Sequence, residues 1–515
     1  MESMNRRTFM GNIGIGTVGT AGALACPMAS MQAGKTDLGR ILPLSETREP
    51  LNHRSAKIKV KPVSSYVIHE GVWTGPCRWN PNPPPEEERK SFRAAFDESV
   101  VRLRQVICPD AEVLTPVYVE FSESGGFGER ELSQLEADHE AVDLYYAGGN
   151  VYPQYAASLI GERYRKPVAM IGEYVPWDMS ARLRSKGLEG YALSDLDEMN
   201  RLISLLRARK IFQGTNILIV SDTPFKNRPS PSACMDFHTL GERFGLKSTI
   251  IDYREMAAAR ENILRDPDRM QEANAFADTL IRNAEAVRID RQWVVSSTIF
   301  YLTIKDLMRR YGCNAFTIEC FEFCSRRTAY DWKVVPCLTH SLLKDEGFTS
   351  GCEGDINVTL AMDLLMGISR RAAYMGNLEK KDETSMYLGH NVPATKMLGF
   401  DAPALPYSLQ NFITEGWGTK VQMNLANVGE TKVTIARFDP LISKLLVIGG
   451  EITGCEGQND AGCSLVAHVR VADPDSLVRE ARNYGFHFAM VYGDYVRELQ
   501  ELGEMLKIRI EAHHA

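Results

Sequence analysis

The sequence predicts an α/β protein, with two Rossmann-like α/β domains followed by a β-rich, barrel-like C-terminal domain. Between about residue 113 and residue 310, short apolar runs alternate with longer stretches whose apolar residues recur at helical spacing, the pattern of a parallel sheet covered by helices. After Gly418 the apolar runs become short and follow one another without helices, as in a barrel or antiparallel sheet. The chain has 515 residues, which at roughly 100–200 residues per domain is too long for one core.

Taken in order, residues 1–30 read as a twin-arginine export signal. Asn5-Arg6-Arg7-Thr8-Phe9-Met10 precedes a charge-free, glycine- and alanine-rich stretch from Gly11 to Ala25 that closes on small residues. The expected location is the periplasm or beyond. Cys26 offers a lipid anchor as a second reading, although Ala23 stands where such sites prefer leucine. Residues 31–62 read as a linker or arm, being polar and aperiodic from Lys35 to Lys61. The first α/β domain, 63–188, holds strand-like runs at Val113–Phe121, Val142–Tyr146 and Pro167–Ile171. The second, 189–345, has a helical pattern over Leu196–Lys210, strands at Asn216–Asp222 and Lys247–Tyr253, and a long helical pattern from Arg260 to Arg309. In the third, 346–515, the predicted strands are Lys420–Leu425, Glu430–Phe438, Lys444–Ile452 and Cys463–Val471. Past the leader, nothing approaches the ~18 uninterrupted apolar residues of a membrane span.

With 59 basic and 66 acidic residues and a formal charge of −7, the chain is not a basic nucleic-acid binder, and 44% hydrophobic residues rule out a disordered one. The chemistry begins at Gly351-Cys352-Glu353-Gly354-Asp355. Two carboxylates at i and i+2, after a glycine turn and before an apolar helix, can converge on one point. Paired hard oxygen donors suit Mn²⁺ or Mg²⁺ better than Zn²⁺. Capping acids before a helix are common, however, and give the same pattern. His390 sits in a glycine-proline loop, and His487 lies on an apolar strand-like segment where a core histidine is the ordinary reading.

Together these tracts resemble the L-fucose isomerase and L-arabinose isomerase superfamily. The resemblance rests on Cys352-Glu353-Gly354-Asp355 with its following helix, on Gly389-His390, and on His487-Phe488-Ala489-Met490-Val491-Tyr492-Gly493-Asp494 with the closing Met505 to His513. It covers roughly residues 314–514, and is architectural over the two preceding domains. It implies an aldose–ketose interconversion through an ene-diol, with a divalent cation, usually Mn²⁺, held by two carboxylates and a histidine. His487 matches the metal histidine. The Glu353/Asp355 pair matches the central acidic motif, and both are named because branches of the superfamily differ in which acid they use. Glu319, ending a predicted buried strand, is the expected upstream carboxylate, with Glu322 and Asp331 as competitors. Glu319, Glu353 and Asp355 are thus the expected catalytic acids and, with His487, the expected metal ligands. His390 is expected to bind a substrate hydroxyl or complete the metal shell. The resemblance further implies a homo-oligomer, trimeric or hexameric, acting on a small sugar.

Trp73 and Trp417 are weaker candidates for sugar stacking, and an aromatic turn packed on its own domain is the ordinary alternative. The cysteine spacing does not suit a structural zinc site. Buried free thiols are the default, and Cys455–Cys463 is the best local disulfide pair if export oxidises the protein. Three functions fit: a metal-dependent sugar isomerase, an exported carbohydrate-active epimerase, lyase or hydrolase using the same metal–carboxylate site, and a non-catalytic sugar-binding protein.

Overall fold

A computed structural model describes residues 49–68, 84–121, 126–150, 152–224, 226 and 229–513. The leader, Cys26 and Trp73 lie outside them.

The first sheet is parallel and has β1 (Ile58–Val67) at its centre, flanked on one side by β2 (Ala111–Val113) and β3 (Val117–Phe121). On the other side come β4 (Leu144–Gly149), β5 (Val168–Ile171) and β6 (Gly190–Leu193). β1 begins inside the stretch whose polarity reads as a linker. Its alternation is masked by Lys59 and Lys61, and Lys61 is buried, with its Nζ on Asp138. Pairing with a carboxylate is what permits a lysine in a central strand.

The second sheet is also parallel. It starts with β7 (Asn216–Val220) and β8 (Lys247–Ile251). The chain then leaves it for the short β9 (Ala286–Arg288) and returns with β10 (Ala315–Ile318) and β11 (Thr349–Gly351), in the order β11-β10-β7-β8. Helices on both faces explain why Ile217 to Val220 are apolar without alternation. The helical pattern from Arg260 to Arg309 resolves into Tyr253–Arg265, Pro267–Asn283 and Arg291–Tyr311. The first break is dictated by Pro267, which can start a helix but not continue one, and Asp266 caps the new helix through the amides of Asp268 and Arg269.

The C-terminal region closes a six-stranded antiparallel barrel. Its strands are β12 (Tyr374–Lys380) and β13 (Ser385–His390), then, after β14 (Ser408–Asn411) and β15 (Thr419–Gln422), β16 (Lys432–Phe438), β17 (Lys444–Glu456), β18 (Leu465–Arg470) and β19 (His487–Tyr492). The order β16-β19-β12-β13-β18-β17 is closed by β16–β17 pairing, and β20 (Arg509–His513) adds to β17 in parallel. β14 pairs with β15 on one edge and β9 on the other instead, so the run from Lys420 forms a small sheet outside the barrel.

One helix, Ile356–Ser369, is buried along its whole length. A helix apolar all round belongs inside a core. This one packs against β11, β16, β19 and the helix Leu196–Gln213, joining second sheet and barrel in one core. Its approach leaves no room at Gly351, where an added Cβ would lie 2.0 Å from Thr359 Oγ1 and 3.1 Å from Thr359 Cβ. Gly351→Ala is therefore expected to lower stability by about 1–3 kcal/mol through overpacking, measured by urea denaturation.

Candidate metal centre

Two strand ends and two barrel strands supply the site. β10 and β11 are parallel neighbours with Thr317 opposite Gly351. Glu319 and Glu353 each follow two residues later, at the carboxyl edge where open α/β sheets bind ligands. Glu353 and Gly354 both take left-handed backbone, at φ 60° and 65°. For a glutamate this costs on the order of 1 kcal/mol, and the turn delivers Asp355 to the start of the buried helix, where its Oδ1 accepts from the amides of Asn357 and Val358. In the barrel, Asn377 on β12 faces Gly389 on one side and His487 on the other. That register sets the rings of His390 and His487 5.7 Å apart between centroids.

The three side chains meet. His390 Nε2 lies 3.2 Å from Glu353 Oε1 and His487 Nε2 lies 3.4 Å from Glu353 Oε2. One donor atom from each lies within 4.8 Å of the other two, and all three residues are buried. Behind them, Asp355 Oδ2 sits 2.9 Å from His487 Nδ1 and 2.8 Å from Arg437 Nη1, with Asp355 and Arg437 fully buried.

This arrangement constrains the protons. Burial would raise the Asp355 pKa, but the Arg437 charge and the His487 hydrogen bond hold it well below the usual range. An ionised carboxylate only accepts, so His487 Nδ1 carries the proton and its Nε2 lone pair is aimed at Glu353. Among the described residues, His487 Nε2 has no hydrogen-bond partner. Two lone pairs facing at 3.4 Å need a positive charge between them, either a proton or a cation. As a proton site, the pair favours imidazolium: burial lowers the His487 pKa, yet bonding to Asp355 and Glu353 raises it above the ordinary value. Glu353 is the converse case, where burial acts upward and His390 and His487 hold the acid well below its usual range. As a cation site, one carboxylate and two imidazoles fit a divalent metal, with Asp355 orienting His487 as outer carboxylates orient metal-binding histidines.

Of the expected ligands, the structure brings Glu353 and His487 together and adds His390. The Asp355 carboxylate is turned toward Arg437, His487 Nδ1 and the helix amides. Glu319 lies beside Glu353 on the neighbouring strand end and accepts from the amides of Phe321 and Glu322. Burial pushes its pKa up despite those amides, and the charges of Glu322 and Glu353 add to the rise. Glu322 is engaged by Ser221 at 2.6 Å and Thr223 at 3.0 Å, and Asp331 is exposed. Trp417 is buried against Tyr330, with Lys333 Nζ 5.0 Å from its ring. Cys455 and Cys463 are free thiols, like the other described cysteines, and the expected local disulfide between them is not formed. Cys455 Sγ lies on the Met423 carbonyl, while burial pushes the Cys463 thiol up.

Arg437 escaped the sequence reading. Its signal is an arginine inside the apolar run Val433 to Phe438, which demands a buried carboxylate.

No family model matches the chain. It is 28% identical over 194 residues to the sulfoquinovose isomerases of Priestia aryabhattai and Priestia megaterium, covering 36% of this chain and 41% of each relative. It is 23% identical over 327 residues to that of Alkalicoccus urumqiensis, covering 61% of this chain and 68% of the relative. The match spans about two-fifths of the length of the two Priestia relatives. The similarity is to sugar isomerases at large, and does not single out the fucose or arabinose branch.

Proposed function

We propose that the protein is a metal-dependent sugar isomerase that interconverts an aldose and its ketose through an ene-diol. The observation that carries this reading is the convergence of Glu353, His390 and His487 on one buried point beside a second buried acid, Glu319. Those three residues would hold a divalent cation, with Mn²⁺ the first choice and Mg²⁺ or Zn²⁺ the others. When bound, such an ion supplies Lewis-acid stabilisation of negative charge on the sugar oxygens.

The chain's own residues supply the rest. Asp355 and Arg437 lock the His487 ring, so its Nε2 is presented without reorganisation. Glu319, whose carboxyl is held by the backbone amides of Phe321 and Glu322 and, among the described residues, by no arginine or lysine, is free to exchange a proton. It takes the proton from carbon 2 of the open-chain aldose and returns one to carbon 1, while the hydroxyl proton passes from oxygen 2 to oxygen 1. Burial raises the Glu319 pKa, which brings a carboxylate nearer the range useful for acid–base work. The similarity to sulfoquinovose isomerases makes sulfoquinovose the first substrate to test, beside common neutral aldoses. The twin-arginine motif supports placing the reaction outside the cytoplasm.

The test is exchange in D₂O. Metal-loaded protein is expected to introduce deuterium at the carbon beside the carbonyl of its substrate, followed by NMR, and Glu319→Gln is expected to lose this exchange while retaining its metal. No exchange with any aldose, or full exchange in Glu319→Gln, contradicts the assignment.

A further inference from the structure

Beside the histidine centre lies a second group of metal-binding donors. Cys320 opens the helix Cys320–Ser325 at the end of β10, and Cys352 follows β11 directly. They are remote in sequence, and the parallel register of the two strands makes them neighbours. Their two sulfurs and a Glu353 carboxylate oxygen all lie within 4.8 Å of one another. The Cys352 amide is fixed 3.1 Å from Met375 Sδ, and Cys352 is buried, whereas Cys320 is half-buried.

We propose that Cys320, Cys352 and Glu353 form a second cation position, selective for thiophilic divalent ions such as Zn²⁺ and Cd²⁺, which competes with the histidine centre for Glu353. Two thiolates and a carboxylate are a soft donor set, suited to Zn²⁺ and not to Mn²⁺ or Mg²⁺. Bonds of about 2.3 Å to sulfur and about 2.0–2.2 Å to oxygen reach across donors this close, and leave a fourth tetrahedral position open. Binding releases the two thiol protons to solvent.

Competition follows from the shared carboxylate. Both Glu353 oxygens face the histidines, one toward His390 and one toward His487. An ion seated on the thiols draws Glu353 away from them, so thiophilic metals expel the ion of the histidine centre. This second step rests on the metal reading given above. The thiol position itself does not, because its two sulfurs belong to neither histidine contact.

The experiment titrates Cd²⁺ into metal-stripped full-length protein and follows the ultraviolet sulfur-to-cadmium charge-transfer band. The wild type and His487→Ala are expected to develop the band to saturation. Cys320→Ser, Cys352→Ser and the double variant are expected to lose it, with unchanged circular dichroism and melting temperature showing that they fold; Cys320→Ala is the second variant should a serine fail to fold. In a second arm, Zn²⁺ is added to Mn²⁺-loaded protein and released Mn²⁺ is read by electron paramagnetic resonance. The double variant is expected to need about tenfold more Zn²⁺ for half-release, in line with losses seen when metal sites are weakened. No band in wild type, or an undiminished band in the double variant, overturns the thiol position. Equal Mn²⁺ release in both proteins overturns the competition. A protein that binds neither Mn²⁺, Mg²⁺ nor a second equivalent of Zn²⁺ yet shows the band refutes the histidine centre and leaves the thiol position standing.

Discussion

Glu353→Gln is expected to abolish Mn²⁺ binding and to lower isomerase turnover by roughly 100- to 1,000-fold, the scale of losing a principal electrostatic stabiliser. The amide keeps the volume and removes the charge. Glu353 stands between two imidazoles, so an amide there offers an N–H where a lone pair is needed, and both histidine contacts, at 3.2 and 3.4 Å, lose their anion. Asp355→Asn separates the two acids. Its oxygens face Arg437 and His487 Nδ1, so this change is expected to weaken metal affinity only about 10- to 100-fold, as outer carboxylates do. Isothermal titration with Mn²⁺ and steady-state turnover on the same preparations measure both. Equal losses in the two variants would place Asp355 on the metal.

Arg437→Met is expected to cost about 3–5 kcal/mol of folding stability, because it leaves the Asp355 carboxylate buried without its cation. Arg437 is fully enclosed, donating to Asp355 at 2.8 Å, to the Tyr484 carbonyl and to the His487 carbonyl. The double variant Arg437→Met/Asp355→Asn removes both charges and is expected to recover part of the loss. The pH dependence has a definite sign. In the wild type the Asp355 pKa is depressed, so its contribution is complete above the ordinary carboxylate value and drains as pH falls through the folded one. Without Arg437, burial raises that pKa, protonation relieves the variant at higher pH, and the stability gap to wild type narrows as pH is lowered toward about 4. Urea denaturation at several pH values measures it, and a gap that is constant or widens in acid contradicts the pairing.

The parts of this molecule that sequence made legible are those written in local pattern. Runs such as Ile217 to Val220 announce a doubly covered parallel strand, and the short strands Glu430–Phe438, Lys444–Ile452 and Cys463–Val471 announce the barrel. β1 was hidden because its lysines break the apolar alternation, and only the tertiary partner of Lys61 explains them. The division of the Arg260–Arg309 pattern was legible in Pro267, which period alone overlooks. At the site, Glu353, His390 and His487 could be picked out by their motifs, but their meeting depends on β12 carrying β13 on one edge and β19 on the other. The orientation of Asp355 depends on Arg437, and the closeness of Cys320 and Cys352 on the β10–β11 register, neither of which spacing encodes.

Glu353, His390 and His487 are expected to bind one divalent cation. Anomalous diffraction at the manganese edge, from crystals of the full chain grown with Mn²⁺, tests it most directly. A single strong peak is expected, bounded by the Glu353 carboxylate and the Nε2 atoms of His390 and His487, with Asp355 still on Arg437. A well-ordered site with no peak between these atoms, or a peak held by Asp355 and not by His390, would contradict it.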